Sequence, residues 1–458
     1  MSDVFRPKSA TELRARFARL RVAGRKLARC PLPDLLGVLE RLGQVWQPGT
    51  AFHTRAVELL TGPISRPAVE RALAGLSLGL NPVAVTAGMR CELGRANLLE
   101  TWEPSELRTG YVRGFPLGVV AHVLAGNVFL GGAIALGQGL LTRNAVLLKL
   151  SQDDGGFTAL FAAALCEVDP DGFVAPALEV CRWESRDDSL NDVVRAEADG
   201  LIVWGGAAAV AAYPADRCRG RVIHHGPRLG VGLVLAGADL TQVLPALAWD
   251  VALWEQRACS SPRMVLVEAP DTDKSFPAAV AQGLANALAA VRRPLPPRPL
   301  TLDEKAEVLA VRELAWWTNT ARAFTSDGSS DHTVLLADRP PPDMPLGYRT
   351  VVVVPVAALD RVPQILEPYR RWLQTAVLAA PPNRWPEAAE VLVEAGLTEV
   401  CAAGAAAARF LGLPHEGDFA LRRLVRLIGV DLGFGPLVYP ERDAACVAAV
   451  ATGIMTSR

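Results

Sequence analysis

Two hydrophobic patterns alternate along this chain: short continuous apolar runs, and longer runs with apolar residues at helical spacing. From residue 118 onward the short runs predict buried strands at Gly118–Leu124, Ala145–Lys149, Leu178–Trp183 and Gly200–Trp204. The longer runs predict helices at Leu130–Leu141, Phe157–Cys166, Ser189–Ala198 and Ala207–Tyr213. Continuous apolar strands separated by helices are typical of a parallel sheet that is covered on both faces. The pattern therefore predicts an α/β fold with a doubly wound sheet.

A second alternation begins near Val231 and predicts a second α/β unit. Its elements are expected at Val231–Leu235, Met264–Val267, Phe276–Val291, Val351–Val356 and Leu373–Ala379. Two proline-rich stretches interrupt this unit, and we interpret both as surface connections: Arg292–Leu300 and Arg339–Leu346. Residues 1–95 have mainly helical spacing. The chain is thus predicted to contain two sheets preceded by a helical region.

Composition narrows the class of function. The 458 residues carry a net charge of −1, without the basic excess that a nucleic-acid-binding protein needs. The eight cysteines include no C-x-x-C pair, so neither a metal site nor a disulfide framework is indicated, and a cytoplasmic protein is expected. The apolar stretch 118–141 contains six glycines and three polar residues. We interpret it as strand, turn and helix rather than a membrane span.

Cys259 is the strongest candidate for chemistry. It follows a helical run that ends near Trp254 and precedes the predicted strand Met264–Val267. A thiol at a junction between helix and strand can face a cleft, where a nucleophile belongs. Its reactive form is the thiolate, which a helix N-terminus, a cation or a histidine would favour. Four other cysteines lie in apolar or variable surroundings and are interpreted as core residues: Cys166, Cys181, Cys218 and Cys401.

Polar residues and glycines cluster where the predicted strands of the first sheet end. Parallel sheets bind ligands at the carboxyl ends of their strands, which here carry Asn127, Lys149, Ser151, Gly205 and Gly206. Asn127 could simply serve a turn, and the two glycines could simply permit one. A lysine at the end of a buried strand reaches either the surface or a ligand. These positions therefore predict a binding cleft along one edge of the sheet.

Four motifs in this order resemble the aldehyde dehydrogenase superfamily. Gly126–Phe129 is similar to that family's Trp-Asn-Phe-Pro turn, and Val146–Ser151 to its Val-Leu-Lys-Pro-Ser strand end. Val203–Gly206 takes the place of its Thr-Gly-Ser turn, and Gln256–Cys259 resembles its Gly-Gln-x-Cys nucleophile motif. Within the superfamily the chain looks most like the LuxC-type fatty acyl-CoA reductases, on the basis of Ala258–Pro262, Leu373–Thr375 and Asp418–Arg426.

The resemblance implies a particular division of the chain. Two doubly wound α/β domains are expected: a dinucleotide-binding domain at 118–228, preceded by its helical part at 1–100, and a catalytic domain at 229–430. Residues 101–117 would form a small oligomerisation hairpin, of which Glu106–Phe115 is the candidate strand region, and 431–458 a C-terminal segment. Relatives of this fold associate through such a hairpin, so a homodimer or homotetramer is expected.

The resemblance also implies roles for the candidate residues. Cys259 would carry the acyl group as a thioester, while the Asn127 side chain and the Cys259 backbone N–H stabilise the oxyanion. Lys149, Ser151, Gly205 and Gly206 would contact NADPH, with NADH as the alternative. CoA, or the phosphopantetheine of a carrier protein, would be the leaving thiol. Acyl-transferring and acyl-activating enzymes are the expected partners.

The chain departs from the hydrolytic members of the superfamily at one segment. They carry a Glu-Leu-Gly-Gly-Lys segment whose carboxylate activates water, and this chain has His224-His225-Gly226-Pro227-Arg228 there. Adjacent strand residues face opposite sides, so at most one histidine faces the site, and spacing to Cys259 favours His224. We therefore expect a reductase of fatty acyl thioesters. Oxidation of aldehydes to acids, and a non-catalytic scaffold partner in an acyl-transfer complex, are the alternatives.

Overall fold

The computed structural model describes residues 4–105, 110–270, 272–326, 328–407 and 411–431. Its helices are α1 (Ala10–Leu27), α2 (Leu32–Val45), α3 (Ala51–Leu60), α4 (Arg66–Gly79), α5 (Pro82–Leu93), α6 (Gly131–Leu141), α7 (Phe157–Glu167), α8 (Asp188–Glu197), α9 (Ala207–Ala212), α10 (Leu240–Ala252), α11 (Ser275–Val291), α12 (Leu302–Thr318), α13 (Val362–Leu366) and α14 (Trp385–Ala395). Its strands are β1 (Glu103–Pro104), β2 (Gly110–Pro116), β3 (Val119–Val123), β4 (Ala145–Lys149), β5 (Leu178–Cys181), β6 (Gly200–Trp204), β7 (Arg221–His225), β8 (Leu229–Val234), β9 (Pro262–Glu268), β10 (Ala321–Thr325), β11 (Thr333–Ala337), β12 (Thr350–Val356), β13 (Leu373–Ala379), β14 (Glu399–Ala402) and β15 (Val425–Asp431).

Five helices, α1 to α5, form the N-terminal region, as the helical spacing predicts. The first begins at Ser9, whose hydroxyl accepts a hydrogen bond from the Glu12 backbone N–H and so caps the helix. Leu13, Phe17 and Leu20 recur at intervals of four and three residues and are fully buried. This apolar face packs against the first sheet and shares its core.

The first sheet has five parallel strands in the order β5-β4-β3-β6-β7. Every residue of β3 and β4 is buried, because helices cover both faces of the sheet. Ala145 packs against Gly24 of α1, while its neighbour Val146 packs against Gly139 of α6 on the opposite face. The predicted doubly wound parallel sheet is therefore confirmed, and the strand ends that carry Asn127, Lys149 and Gly205 lie along one edge.

The second sheet has seven strands in the order β10-β11-β12-β9-β8-β13-β14. All neighbours run parallel except β10, which is antiparallel to β11 at the edge. The polypeptide passes from the first sheet to the second between His225 and Leu229. Strand β8 pairs with the middle strand β9, with Gly230 opposite Pro262. This register positions the candidate nucleophile.

A third, antiparallel sheet has the order β1-β2-β15. It includes part of the predicted hairpin: Gly110–Pro116 forms β2, whereas residues 106–109 lie outside the described residues. Its third strand differs from the expected division of the chain, because Val425–Asp431 leaves the second unit and pairs with β2. Exposed apolar residues, including Leu427 and Ile428, line β15. Residues 432–458 lie outside the described residues.

Among the described residues, no single helix is both long and apolar enough to cross a membrane. Helices α4 and α5 pass that test only as a pair, and they are bent by 73° at their junction.

The segment that leads to β15 is held to the N-terminal helices by one buried carboxylate. Glu92 of α5 is 3% exposed. One of its oxygens accepts from the Gly412 backbone N–H at 3.1 Å and the other from the Leu421 N–H at 2.7 Å. Hydrogen bonds to a charged acceptor are the stronger kind. Glu92 therefore connects α5 to residues 412–421, which contribute to the site described below.

Replacement of Glu92 by alanine is expected to destabilise the protein by about 3 kcal/mol, since two charge-assisted hydrogen bonds are lost and two backbone donors are left unpaired. Urea unfolding of Glu92→Ala measures this loss. The matched control is Glu58→Ala, because Glu58 is exposed on α3, and it should change stability by no more than about 0.5 kcal/mol. Equal effects of the two substitutions would contradict the assignment.

Candidate active site

Cys259 lies in the loop between α10 and β9, at the predicted junction of helix and strand. It is half-buried. The loop turns sharply after the helix, because Glu255 and Gln256 adopt left-handed backbone angles, with φ of 52° and 54°. Such angles are unusual for residues with a Cβ and persist only where surrounding contacts enforce them. The nucleophile loop is therefore a constrained turn rather than a continuation of the helix.

The side chain of Gln256 supplies those contacts. Its amide nitrogen donates to the carbonyl oxygens of Pro262 and Thr350, each at 2.8 Å, and its amide oxygen accepts from the Thr350 N–H at 2.9 Å. The residue is 1% exposed. Next to it, Glu255 forms an ion pair with the buried Arg349. The loop is thus attached to the starts of both β9 and β12.

Asn127 lies against the nucleophile loop. Its amide Nδ2 donates to the carbonyl oxygen of Arg257 at 2.9 Å. In return, the Arg257 guanidinium approaches the carbonyl oxygen of Gly126 at 3.4 Å. The turn after β3 and the loop before β9 therefore meet, although 130 residues separate Asn127 from Arg257. The structure brings together Asn127 and the loop of Cys259, the two positions that the sequence singled out for acyl chemistry.

Arg228 and Cys259 interact electrostatically. Arg228 stands two residues before Gly230, and a Cβ on Gly230 would lie only 2.7 Å from the carbonyl oxygens of Ser260 and Ser261. A hydrogen bond with Glu416 raises the pKa of Arg228; burial opposes this rise, and the charges of Glu416 and Cys259 add to it. Arg228 is therefore a cation whose charge acts on Cys259 as well as on Glu416.

Glu416 connects Arg228 to a histidine cluster. Its Oε2 lies 2.7 Å from an Arg228 nitrogen and 3.1 Å from His225 Nδ1. His225 stacks on Trp204 with ring centroids 4.0 Å apart, and His415 meets His225 edge-on at 5.2 Å. Burial opposes ionisation of Glu416, but hydrogen bonds and charges from His225 and Arg228 outweigh it and lower its pKa to about 2. Glu416 is therefore an ionised, paired carboxylate.

The structure separates the two adjacent histidines of β7. His224 was the expected replacement for the hydrolytic glutamate, yet its Nε2 lies 2.8 Å from the Tyr213 carbonyl oxygen, and no contact brings it to Glu416. His225 faces the other side of the strand and joins the Arg228–Glu416 pair. His415 and Glu416 belong to no motif identified in the sequence. They are adjacent to each other but far from Cys259 along the chain, so no local pattern connects them to it.

His225, His415 and Glu416 have donor atoms that lie within 4.8 Å of one another. Two imidazoles and a carboxylate are a donor set that zinc accepts. However, Nη2 of Arg228 already lies 2.7 Å from Oε2 of Glu416. The positive charge of a guanidinium in that position repels a divalent cation. We therefore assign these residues to an ion-pair network.

The predicted cofactor residues lie at the strand ends of the first sheet. Lys149 is 3% exposed, its Nζ donates to the Ser185 hydroxyl at 2.8 Å, and burial lowers the pKa of its ammonium group. The Ser151 hydroxyl accepts from the Asp153 N–H at 3.2 Å. Gly205 donates its N–H to the His225 carbonyl oxygen at 3.0 Å, and Gly206 precedes α9. An ammonium group carries three protons, so Lys149 retains donors for a ligand.

Solved structures with the same architecture define the class of protein. A NAD-dependent benzaldehyde dehydrogenase from Corynebacterium glutamicum has a TM-score of 0.70 and 16% identity, covering 92% of this chain and 91% of that chain. A mutant of aldehyde dehydrogenase C from Pseudomonas syringae, complexed with NAD+ and octanal, has a TM-score of 0.67 and 15% identity, covering 93% and 90%. The expected fold is confirmed: this chain has an aldehyde dehydrogenase-like fold.

The sequence comparison is more specific. The profile of the acyl-CoA reductase (LuxC) family matches residues 27–427, and the chain belongs to this family. The long-chain acyl-protein thioester reductase of Photorhabdus luminescens is 28% identical over 371 residues, which are 77% of this chain and 71% of that protein. The reductase of the same name from Photobacterium phosphoreum is 24% identical over 371 residues, or 77% and 70%. The family predicted from the motifs is thus confirmed.

Substitution of Arg228 by glutamine should make Cys259 harder to ionise, since the positive charge coupled to the thiolate is removed. The pH at half-maximal iodoacetamide alkylation of Cys259, followed by peptide mass spectrometry, is expected to rise by about one unit. Arg361→Gln, at an exposed position, is the charge-matched control and should leave this midpoint unchanged. An unchanged midpoint in Arg228→Gln would show that Arg228 does not favour the thiolate.

Proposed function

We propose that this protein reduces long-chain acyl thioesters to aldehydes with NADPH, through a thioester between the acyl group and Cys259. The observation that carries the proposal is the position of Cys259 on a constrained loop that Asn127 contacts and whose thiol interacts electrostatically with Arg228. A cation that interacts with the thiol supports a thiolate nucleophile. Membership of the acyl-CoA reductase family supports the reaction class.

In the first step the Cys259 thiolate attacks the acyl carbon of the substrate thioester. A carbon–sulfur bond to Cys259 forms and the bond to the carrier sulfur breaks, so one thioester replaces another. The carrier leaves as a thiolate and takes up a proton from solvent. Asn127 Nδ2 and the Cys259 backbone N–H are the proposed donors to the oxyanion, and a single donor of this kind contributes about 3–4 kcal/mol. Asn127 would exchange its bond to Arg257 for one to the substrate oxygen.

A nicotinamide cofactor supplies the hydride that converts the acyl carbon to the aldehyde. Lys149 and Ser151 are proposed to bind its ribose or 2′-phosphate, and the Gly205-Gly206 turn to accommodate its pyrophosphate. The buried ammonium of Lys149, which donates to a serine hydroxyl, is consistent with an anionic or hydroxylated ligand nearby. After reduction, the carbon–sulfur bond breaks, the aldehyde leaves, and the Cys259 thiolate is restored with Arg228 beside it.

Reduction is favoured over hydrolysis by the state of the nearby carboxylate. A general base works best when its pKa lies near the operating pH. Contacts with His225 and Arg228 lower the pKa of Glu416 to about 2, despite its burial, so it is a weak base. His224, at the position of the hydrolytic glutamate, is engaged with the Tyr213 carbonyl. An acyl group on Cys259 would therefore be reduced by hydride rather than hydrolysed by activated water.

The carrier of the acyl group is proposed from the relatives. Their names, long-chain acyl-protein thioester reductase, indicate acyl groups delivered on a protein. CoA thioesters have the same reacting bond and are the second proposed substrate form. We propose that acyl-transferring or acyl-activating enzymes deliver the substrate in the cytoplasm. Assembly into homodimers or homotetramers through β2 and β15 is part of the same proposal.

Cys259→Ala should lose both acylation by a radiolabelled long-chain acyl-CoA and acyl-dependent oxidation of NADPH, because no nucleophile remains. The control is Cys166→Ala, which should retain both, because the structure exposes this cysteine on α7, where the sequence predicted a core residue. Mass spectrometry of the trapped product should identify an aldehyde. Persistent labelling of Cys259→Ala would exclude this cysteine as the acyl acceptor. Free acid as the product, formed from aldehyde and NADP without CoA, would indicate the oxidative reaction instead.

Lys149→Met should weaken NADPH binding by at least about tenfold, since a charge-assisted hydrogen bond in a half-enclosed cleft is lost. Titration of the intrinsic fluorescence of bound NADPH measures this change. Lys305→Met, on the exposed face of α12, is the matched control and should bind NADPH like the wild type. Comparison of NADPH with NADH in both variants identifies the preferred cofactor. Equal NADPH affinity in the wild type and Lys149→Met would remove Lys149 from the cofactor site.

A further inference from the structure

A cavity of about 250 Å³ lies between α1, the turn before β4 and the small sheet. Four arginines line it, and we call it the arginine cavity: Arg21, Arg25, Arg143 and Arg426. They converge from three parts of the chain. Gly24 of α1 and Gly118 before β3 form parts of its wall, where backbone rather than side chains faces the space.

Arg143 is the buried member of this group. It is 2% exposed, its Nε donates to the Cys30 carbonyl oxygen at 2.8 Å, and its Nη2 donates to Glu100 at 2.8 Å. Its remaining nitrogen, Nη1, is buried and has no hydrogen-bond partner. Buried donors are almost always satisfied, and among the described residues Nη1 finds no acceptor, so the Arg143 charge is only partly compensated.

The charges around the cavity do not balance. Arg21 is paired with Glu197 at 2.7 Å, and Arg143 with Glu100. Arg25 and Arg426 are exposed, and in the described part of the chain neither makes a recorded ion pair or hydrogen bond. A further acid, Asp199 beside Gly118, accepts from the Val119 N–H and pairs with Arg219. Within the part of the chain that the structure describes, Arg25 and Arg426 therefore have no counterion.

The cavity is distant from the proposed catalytic cleft. Gly118 precedes β3, whereas Asn127 follows it, so the two sites lie at opposite ends of the same strand. A strand of five residues is about 17 Å long. A ligand in the arginine cavity therefore cannot reach Cys259, and the cavity is no part of the cleft that Lys149 and Gly205 border.

We propose that the arginine cavity binds a small phosphorylated anion at a site separate from catalysis. Guanidinium groups match the oxygens of a phosphate in pairs, and several of them together suit a ligand with more than one negative charge. The volume is smaller than the roughly 300–1,000 Å³ of sites for drug-sized ligands. A phosphate ester or a pyrophosphate fits this class, with its anionic oxygens placed at the exposed Arg25 and Arg426 and the buried charge of Arg143 behind them.

The test is calorimetric titration of the full-length protein with inorganic pyrophosphate at constant ionic strength, in the presence of saturating NADP+. The wild type should bind pyrophosphate, and the double variant Arg25→Gln/Arg426→Gln should bind it at least about tenfold more weakly. Arg143 is not the residue to change, because it also holds Cys30 and Glu100. NADPH oxidation and thermal unfolding of the double variant confirm that it is folded.

Two controls separate this site from surface charge and from the cofactor cleft. Arg14→Gln removes an exposed arginine from the same helix α1 and should bind pyrophosphate like the wild type. Lys149→Met should also bind it unchanged. Undiminished binding by the double variant, or the loss of all binding on addition of NADP+, would overturn the proposal. A wild type that binds no pyrophosphate would also overturn it, and a changed oligomeric state of the double variant in gel filtration would then assign the arginines to a contact between copies.

Discussion

The position of Cys259 depends on one buried amide, the side chain of Gln256. This side chain makes three hydrogen bonds, to Pro262 and Thr350, and it spans the starts of two parallel strands. A buried amide whose donors and acceptor are satisfied is rigid, because any rearrangement leaves a polar atom unpaired. The left-handed turn at Glu255 and Gln256 can persist because these bonds and the Arg349 ion pair oppose its relaxation.

The remaining parts of the site assemble around this loop. The pairing of β8 with β9 brings the segment of Arg228 to the loop of Cys259, and Glu416 holds Arg228 from a distant part of the chain. Glu416 in turn depends on residues 412–421, which Glu92 attaches to the N-terminal helices. The electrostatic environment of the nucleophile is therefore linked to the first hundred residues. Contacts with His225 and Arg228 lower the pKa of Glu416 to about 2, so the ion pair between Glu416 and Arg228 persists across neutral pH.

Much of the fold was predictable because continuous apolar runs specify buried parallel strands. Ala145–Lys149, Gly200–Trp204 and Leu373–Ala379 were predicted with the observed ends. The helix before Cys259 ends earlier than its apolar spacing indicates, at Ala252 rather than near Trp254, because the Arg349 contacts enforce a turn. The place of β15 in the third sheet was not predictable either. Its pairing with β2 joins residues more than three hundred positions apart, and no local pattern encodes such a contact.

The sequence by itself determined the family, through its motifs, and it determined the positions of Cys259 at a junction of helix and strand and of strand-end residues such as Asn127 and Lys149. Those positions follow from the local hydrophobic periodicity, which can be read from a single sequence. Only the tertiary structure distinguished His225 from His224, since one residue of register decides which side a strand residue faces. Only the tertiary structure, too, brings Glu416 to Arg228 and places the four arginines around the arginine cavity. Charge pairs and cavities depend on distances between remote segments, and these distances exist only once the chain is folded.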